Sequence, residues 1–346
     1  MNLQELGWTA HFADAFQPYA EQDLIPARVV ARHHGPCELL TERGPLGGIT
    51  AGRMDEDALP VVGDWVAVRP LEGERKALIE AVLPRRGAFT RKEAWRRAVA
   101  QVVAANVDTA FLVTAFGHDL NPRRLERYLT AAWDSGADPV IVVNKLDLAE
   151  DPAHELALVE TVAVGVPVFA VSSRTGDGFD ALDSQLLPGR TIALLGSSGV
   201  GKSTLLNRLL GRERQSTAET SGDGRGRHTT TKRELVPLPG GALLIDTPGM
   251  RELALWADEE SLDVTFAEIP QLAAQCRFTD CAHEREPGCA VRAALADGGL
   301  EPARYESYRK LQRELRALEL RRDNRLRSER RKEGRRLSRS LRRESY

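Results

Sequence analysis

A glycine-rich run near the middle of the chain, Gly196-Ser197-Ser198-Gly199-Val200-Gly201-Lys202-Ser203, follows the apolar segment Thr191–Leu195 and precedes the helix-forming stretch Thr204–Leu210, which Gly211 ends. This is G-x-x-x-x-G-K-S between a strand and a helix. A turn of this kind needs a buried strand to deliver the chain to a helix start, so it restricts this part of the sequence to an α/β layer architecture. Successive backbone N–H groups and the positive helix end are then placed to wrap phosphate oxygens. The expected phosphate-contacting residues are Gly196, Ser197, Ser198, Gly199, Val200, Gly201, Lys202, Ser203 and Thr204. Lys202 would reach the β- and γ-phosphates and act in catalysis, and the Ser203 hydroxyl would ligate Mg²⁺.

The flanking sequence supports the same architecture. Thr109–Ala115 and Pro139–Val143 are near-continuous apolar runs suited to strands buried on both faces. Between them Asn121 is a helix N-cap with Pro122 at the first helical position, and Leu125, Leu129 and Ala132 share one face before Gly136. Val166–Val171 and Ala242–Ile245 add further strands. The alternation predicts a right-handed, doubly wound domain with its ligand at the carboxyl ends of the strands.

Three segments fall at such ends. Asn144-Lys145-Leu146-Asp147 is N-K-x-D. A carboxylate in the plane of the base accepts two parallel hydrogen bonds from guanine N1–H and N2–H₂, whereas adenine has no donor at either position and would leave the charge unpaired. That cost favours guanine. The Lys145 stem can lie on the face of the base, and Asn144 can fix the loop. Ser172-Ser173-Arg174 stands where an S-A-K segment usually backs the guanine and departs from it at Ser173 and Arg174. Asp246-Thr247-Pro248-Gly249 is D-x-x-G. Alone that tetrapeptide is a surface turn; beside a phosphate loop, Asp246 is expected to hold Mg²⁺ through its water shell and the Gly249 amide to sense the γ-phosphate.

The first hundred residues differ in kind. Short alternating runs, Leu24–His33, Cys37–Thr41, Val61–Arg69 and Lys76–Leu83, are separated by turn signals at Gly35-Pro36, Gly44-Pro45, Gly47-Gly48 and Gly73. They predict a small antiparallel barrel or sandwich, a barrel of this size being of the oligonucleotide-binding (OB) or the SH3-like kind. Arg85, Arg86, Arg91, Lys92, Arg96 and Arg97 follow with Trp95, as a solvated basic linker or as a phosphate-and-base contact.

Charge is unevenly distributed. The total is -2, yet residues 303–346 hold 17 Arg or Lys against 7 Asp or Glu, a surplus of ten, which leaves -12 on residues 1–302. The tail beyond Leu320 reads as a solvated helix or disordered arm suited to phosphate backbones. Membrane crossing is not expected, since no apolar stretch nears 18 residues. Residues 1–20 contain Glu5, His11 and Asp14 and lack a secretory leader pattern. Of four cysteines, three crowd together in Cys276-x₄-Cys281-x-His283-x₅-Cys289, with Cys37 isolated. That spacing argues for a reducing, cytoplasmic setting and one structural Zn²⁺, because three thiolates and an imidazole fill a tetrahedron and leave no open position.

The nucleotide motifs occur in an unusual order, with Asp147 before Lys202 and Lys202 before Asp246. In ordinary Ras-like GTPases the phosphate loop comes first. Permutation keeps strand neighbours and moves the termini. In this order, in the match of Gly224–Thr231 to a first switch region and in the cysteine–histidine spacing, the chain resembles the circularly permuted, small-ribosomal-subunit-dependent GTPases, the small ribosomal subunit biogenesis GTPase A family. The resemblance spans nearly the whole length. It implies an OB-fold barrel at 1–84, a basic linker at 85–103, a permuted GTPase domain at 104–255, a zinc module at 256–302 and a basic helical tail at 303–346. It also implies binding to the small subunit and its rRNA, a role in late maturation, and slow hydrolysis of GTP to GDP that the subunit stimulates. A monomer is expected. Met250 follows Gly249 where Ras-like enzymes carry a water-orienting Gln, so His228 is the candidate helper, and Thr229 or Thr230 would complete the Mg²⁺ shell. The rival reading is a GTP-binding RNA adaptor with negligible turnover.

Overall fold

The computed structural model describes all residues except 33–35, 51–58, 93–99, 212–232, 247–258, 318–319 and 321–346. His228, Thr229, Thr230, Gly249 and the tail after Leu320 therefore lie outside the described residues. The chain divides into two units, one of residues 1–90 with 102–253, the other of 91–101 with 254–346.

The first unit begins with helix α1 (Ala10–Ala20) and a five-stranded barrel. Its strands are β1 (Ile25–Arg32), β2 (Cys37–Thr41), β3 (Gly44–Thr50), β4 (Trp65–Pro70) and β5 (Lys76–Val82). They run in the order β1-β2-β3-β5-β4, and β4 closes on β1. β3 and β5 are parallel and the other barrel pairs antiparallel. This connectivity is that of a Greek-key OB barrel, and it decides between the two barrels that alternation alone left open.

β3 corrects one expectation. Gly47-Gly48 looks like a turn, yet both residues lie inside a strand, whereas Gly44 (φ 109°) stands where the β2–β3 hairpin reverses, opposite Thr41. Gly48 is needed there because a Cβ would stand 2.9 Å from Leu39 Cδ1 and 3.0 Å from Ile79 Cδ1. Glycine marks a close approach inside the barrel rather than a chain reversal.

β6 (Ala88–Lys92) and β7 (Ala100–Ala105) form a separate two-stranded ribbon. Just before it, Arg85 forks onto buried Asp64 with two bonds of 2.8 Å, and Arg86 pairs with Asp108. These two cations are engaged within the fold.

The nucleotide-binding layer follows as β8 (Thr109–Ala115), α2 (Pro122–Asp134), β9 (Asp138–Asn144), α3 (Pro152–Glu160), β10 (Val168–Ala170), α4 (Phe179–Leu182), β11 (Thr191–Leu195), α5 (Lys202–Leu209), β12 (Glu234–Pro237) and β13 (Leu243–Asp246). Asn121 caps α2 as expected, its side chain accepting from the Arg124 N–H. All seven residues of β8 are buried, as a central strand covered on both faces requires. The strand order is β10-β9-β8-β11-β13-β12, parallel apart from β12. Later strands lie on one side of β11 and earlier ones on the other. β11 is thus the switch point, and the crevice at its carboxyl end is the ligand site.

A fully buried arginine ties barrel to sheet. Arg28 on β1 donates to Leu6 O, Asn106 O and Thr191 Oγ1, the last at the start of β11, and its guanidinium lies 5.4 Å from the Trp65 ring centroid. Burial pulls its pKa down to about 10, with Asp108 opposing, so it stays cationic at neutral pH. β1 also reaches β12 at Ala31↔Glu234, which makes one continuous sheet.

The second unit contains α6 (Glu259–Thr265), α7 (Glu268–Ala273), α8 (Ala290–Asp297) and a helical segment at 302–317. They gather around Leu262, Phe266, Ile269, Val291, Leu311 and Leu315. Buried Arg304 pairs with Glu268 and lies 4.8 Å from the Phe266 ring centroid. No helix of the described residues is long and apolar enough to cross a membrane.

Candidate nucleotide and metal sites

The glycines of the phosphate loop take backbone conformations that side chains rarely adopt. Gly196, Gly199 and Gly201 adopt φ of 155°, 85° and 90°. A Cβ on Gly196 would meet Val113 O at 2.3 Å, and one on Gly201 would meet Asn144 Nδ2 at 2.3 Å. Lys202 opens α5 and folds back over the loop, donating to Gly196 O and Ser197 O. Ser197 Oγ in turn accepts from Arg124 Nη1 on α2 at 2.7 Å.

Asn144, the last residue of β9, joins three segments. Its Nδ2 donates to Val200 O (2.9 Å), and its Oδ1 accepts from Ser173 N (3.0 Å) and Ser173 Oγ (2.8 Å). The amide thereby holds the phosphate loop and the 172–176 turn in register, a role available only to a side chain with both a donor and an acceptor. Lys145 takes a left-handed backbone (φ 64°) and pairs with Asp119 at 3.2 Å. Leu146 begins the short 3₁₀ turn that carries Asp147. Asp147 accepts from Ser172 Oγ on Oδ1 and pairs with Arg174 at 2.8 Å on Oδ2. The Ser172 bond, aided by Arg174, holds its carboxyl below the ordinary aspartate value, so it is ionised at neutral pH.

Asp246 closes β13, the parallel neighbour of β11, which places its carboxylate and the Ser203 hydroxyl at the same sheet end. A hydroxyl and a carboxylate are the hard oxygen donors that suit Mg²⁺. The phosphate loop, Asn144, Asp147, Ser172, Ser173 and Asp246 are the described residues on which the sequence reasoning had settled. It did not find Arg124, Asp119 or Arg208, whose contacts span long stretches of chain with no local pattern.

Gly201→Ala is expected to weaken guanine-nucleotide binding by about 10-fold or more, because an alanine at positive φ is strained and its Cβ displaces Asn144 from Val200. Titration with a fluorescent GDP checks it; wild-type affinity would contradict this account of the loop.

The second site lies around α8. Cys276 Sγ and Cys289 Sγ are 3.9 Å apart, and His283 Nδ1 is 3.6 Å from the first and 3.4 Å from the second. Cys281 completes the set, with all four ligand atoms within 4.8 Å of one another. Tetrahedral Zn²⁺ with Zn–S of about 2.3 Å and Zn–N of about 2.0 Å has S···S edges of about 3.8 Å and S···N edges of about 3.5 Å. The donors fit that ion. Burial holds His283 below its ordinary pKa, so its ring is neutral and able to ligate. The loop is shaped by Glu286, whose carboxylate accepts from the Ala282, Glu284 and Arg285 N–H groups and is held down at about 2 by these and its own N–H. Arg309, from the 302–317 segment, donates to Ala282 O and pairs with Glu284.

The strand order, with the phosphate loop at its switch point and the N-K-x-D strand earlier in the chain, defines a circularly permuted P-loop GTPase fold. Residues 82–256 match the family model described as RsgA GTPase, and the chain belongs to that family. It is 54% identical over 329 residues to the small ribosomal subunit biogenesis GTPase RsgA of Opitutus terrae, covering 91% of this chain and 90% of the relative. The protein of the same name from Streptomyces coelicolor is 48% identical, covering 96% and 91%. Among solved structures, YjeQ from Thermotoga maritima aligns with a TM-score of 0.65 and 30% identity, covering 84% of this chain and 98% of that one. YloQ, described as a circularly permuted GTPase, aligns at 0.61 and 25%, covering 85% and 96%.

Proposed function

We propose that this GTPase works on the small ribosomal subunit, binding the subunit and its rRNA, assisting late maturation and leaving once GTP has become GDP and phosphate. The observation that carries the reading is the Asn144 bridge, which ties the phosphate loop to the 172–176 turn, whose Ser172 and Arg174 hold the ionised carboxylate of Asp147. The names of the relatives supply the subunit.

In this reading Asn144, Lys145, Leu146, Asp147, Ser172 and Ser173 hold the guanine, and the run from Gly196 to Thr204 holds the phosphates. Lys202 neutralises charge as it gathers between the β- and γ-phosphates. Ser203, Asp246 and Thr229 or Thr230 hold Mg²⁺, which supplies further charge neutralisation when bound. Gly249 reads the γ-phosphate. His228 orients the attacking water and accepts its proton, a task Met250 cannot perform. Zn²⁺ is the ion at Cys276, Cys281, His283 and Cys289, with a structural role. The segments 1–84, 85–103, 104–255, 256–302 and 303–346 act as barrel, linker, GTPase domain, zinc module and basic arm of a cytoplasmic monomer. The arm supplies salt-dependent contacts to phosphate.

A chain lacking the usual Gln after D-x-x-G should turn over slowly until its partner assists the chemical step. GTP hydrolysis is therefore expected to rise on the order of 10²-fold when purified small subunits are added. No stimulation, together with no co-sedimentation in the GTP-bound form, overturns the reading. Co-sedimentation without turnover favours the adaptor.

A further inference from the structure

The carboxylate that reads the base is held from two sides. Ser172 Oγ donates to Asp147 Oδ1, and Arg174 Nη2 lies 2.8 Å from Oδ2. The same chain shows the alternative geometry at Arg85, whose Nε and Nη2 take both oxygens of Asp64 in a fork. A fork would occupy the front edge of a carboxylate. At Asp147 the two oxygens are instead shared between different donors. A carboxylate offers about four acceptor positions, so these side-chain donors leave acceptor capacity for incoming N–H groups.

The turn that carries Arg174 is fixed from the phosphate side. Arg208, on α5, donates through Nη1 to Arg174 O and through Nη2 to Thr175 O, both at 3.4 Å, and its guanidinium lies 5.3 Å from the Phe179 ring centroid. Gly176 leaves the room: a Cβ there would come within 1.8 Å of Arg208 Nη2. The Arg174 backbone thus has little freedom, although its side chain is 73% exposed against 10% for Asp147.

We infer that Arg174 is a specificity-determining positioning residue, which by pairing with Asp147 Oδ2 fixes the plane in which that carboxylate meets the guanine edge. The inference rests on the guanine-site reading proposed above. Without Arg174 the carboxylate loses its partner on Oδ2 and is freer to rotate about its Cβ–Cγ bond. A base that binds through two parallel N–H groups then loses more than one that binds through a single N–H.

Inosine diphosphate lacks the exocyclic amine of guanosine diphosphate, so the ratio of their dissociation constants reports the second hydrogen bond. Both are titrated against the full chain, its Arg174→Ala and Arg174→Lys variants, and Asp147→Asn. In Arg174→Ala the preference for GDP over IDP is expected to fall by about fivefold, the scale of a partly exposed ion pair, with IDP affinity almost unchanged. Arg174→Lys, which keeps the charge, is expected to recover part of the preference. Equal weakening of both ligands in Arg174→Ala, or weakening of neither, overturns the inference. Asp147→Asn separates the two levels. Loss of the preference there but not in Arg174→Ala removes only the role of Arg174, whereas an unchanged preference in Asp147→Asn removes the guanine site itself.

Discussion

Removal of the metal is expected to unfold the residues around Cys276, Cys281, His283 and Cys289 while nucleotide binding persists. Among the described residues the apolar cluster of the second unit comprises nine buried side chains, and Cys289, a ligand, is one of them. A core of that size supplies little net stability without a staple. Structural Zn²⁺ in small modules contributes roughly 10 kcal/mol or more of binding free energy at pH 7, and that energy is folding energy. Chelation should therefore abolish helical signal from α8 and its neighbours, with one metal ion released per chain. The described nucleotide residues, from Asn144 to Asp246, all lie in the other unit. Fluorescent GDP binding after chelation tests the separation, and Cys276→Ser should reproduce the unfolding without a chelator. Retention of the helical signal in metal-free protein would show that the ion is dispensable.

The second large effect concerns Lys202. Lys202→Ala is expected to lower GTP turnover by on the order of 10²- to 10³-fold, the loss seen when one fixed donor to developing charge is removed. The ammonium also bridges the Gly196 and Ser197 carbonyls, so its removal loosens the loop it stabilises. Affinity should fall along with rate. Single-turnover hydrolysis at saturating GTP isolates the chemical step. A rate within about twofold of wild type there would mean that Lys202 only binds.

What the sequence reveals depends on how local the physical demand is. The phosphate loop was legible because each glycine answers a demand within a few residues, as the φ values of Gly196, Gly199 and Gly201 show. N-K-x-D was legible for the same reason, and its Asn144 proved to be the bridge between two loops. The metal set was legible through spacing. β3 misled because Gly48, which admits Leu39 and Ile79, looks, in sequence, like a glycine that turns a chain. Without the family resemblance the barrel type stays open, because the parallel pairing of β3 with β5 has no signature in alternation. Arg208 escaped notice, and Arg174 stood out only as a departure from S-A-K, because an exposed arginine has no pattern until its partner, 27 or more residues away, is brought beside it.

Arg28 has a consequence for dividing the chain into parts. It projects from a barrel strand, yet its hydrogen bonds end on the N-terminal segment and on the strand that feeds the phosphate loop. A fragment starting at Val107 would leave the Thr191 hydroxyl without its donor and uncover β12, which is flanked by β1 at Ala31↔Glu234. A fragment ending at Leu83 would keep the cation and lose its Asn106 and Thr191 acceptors, an arrangement that costs several kcal/mol for a buried charge. Barrel and nucleotide domain are distinct in architecture, but they share one buried charge and one sheet, so neither is a natural excision unit.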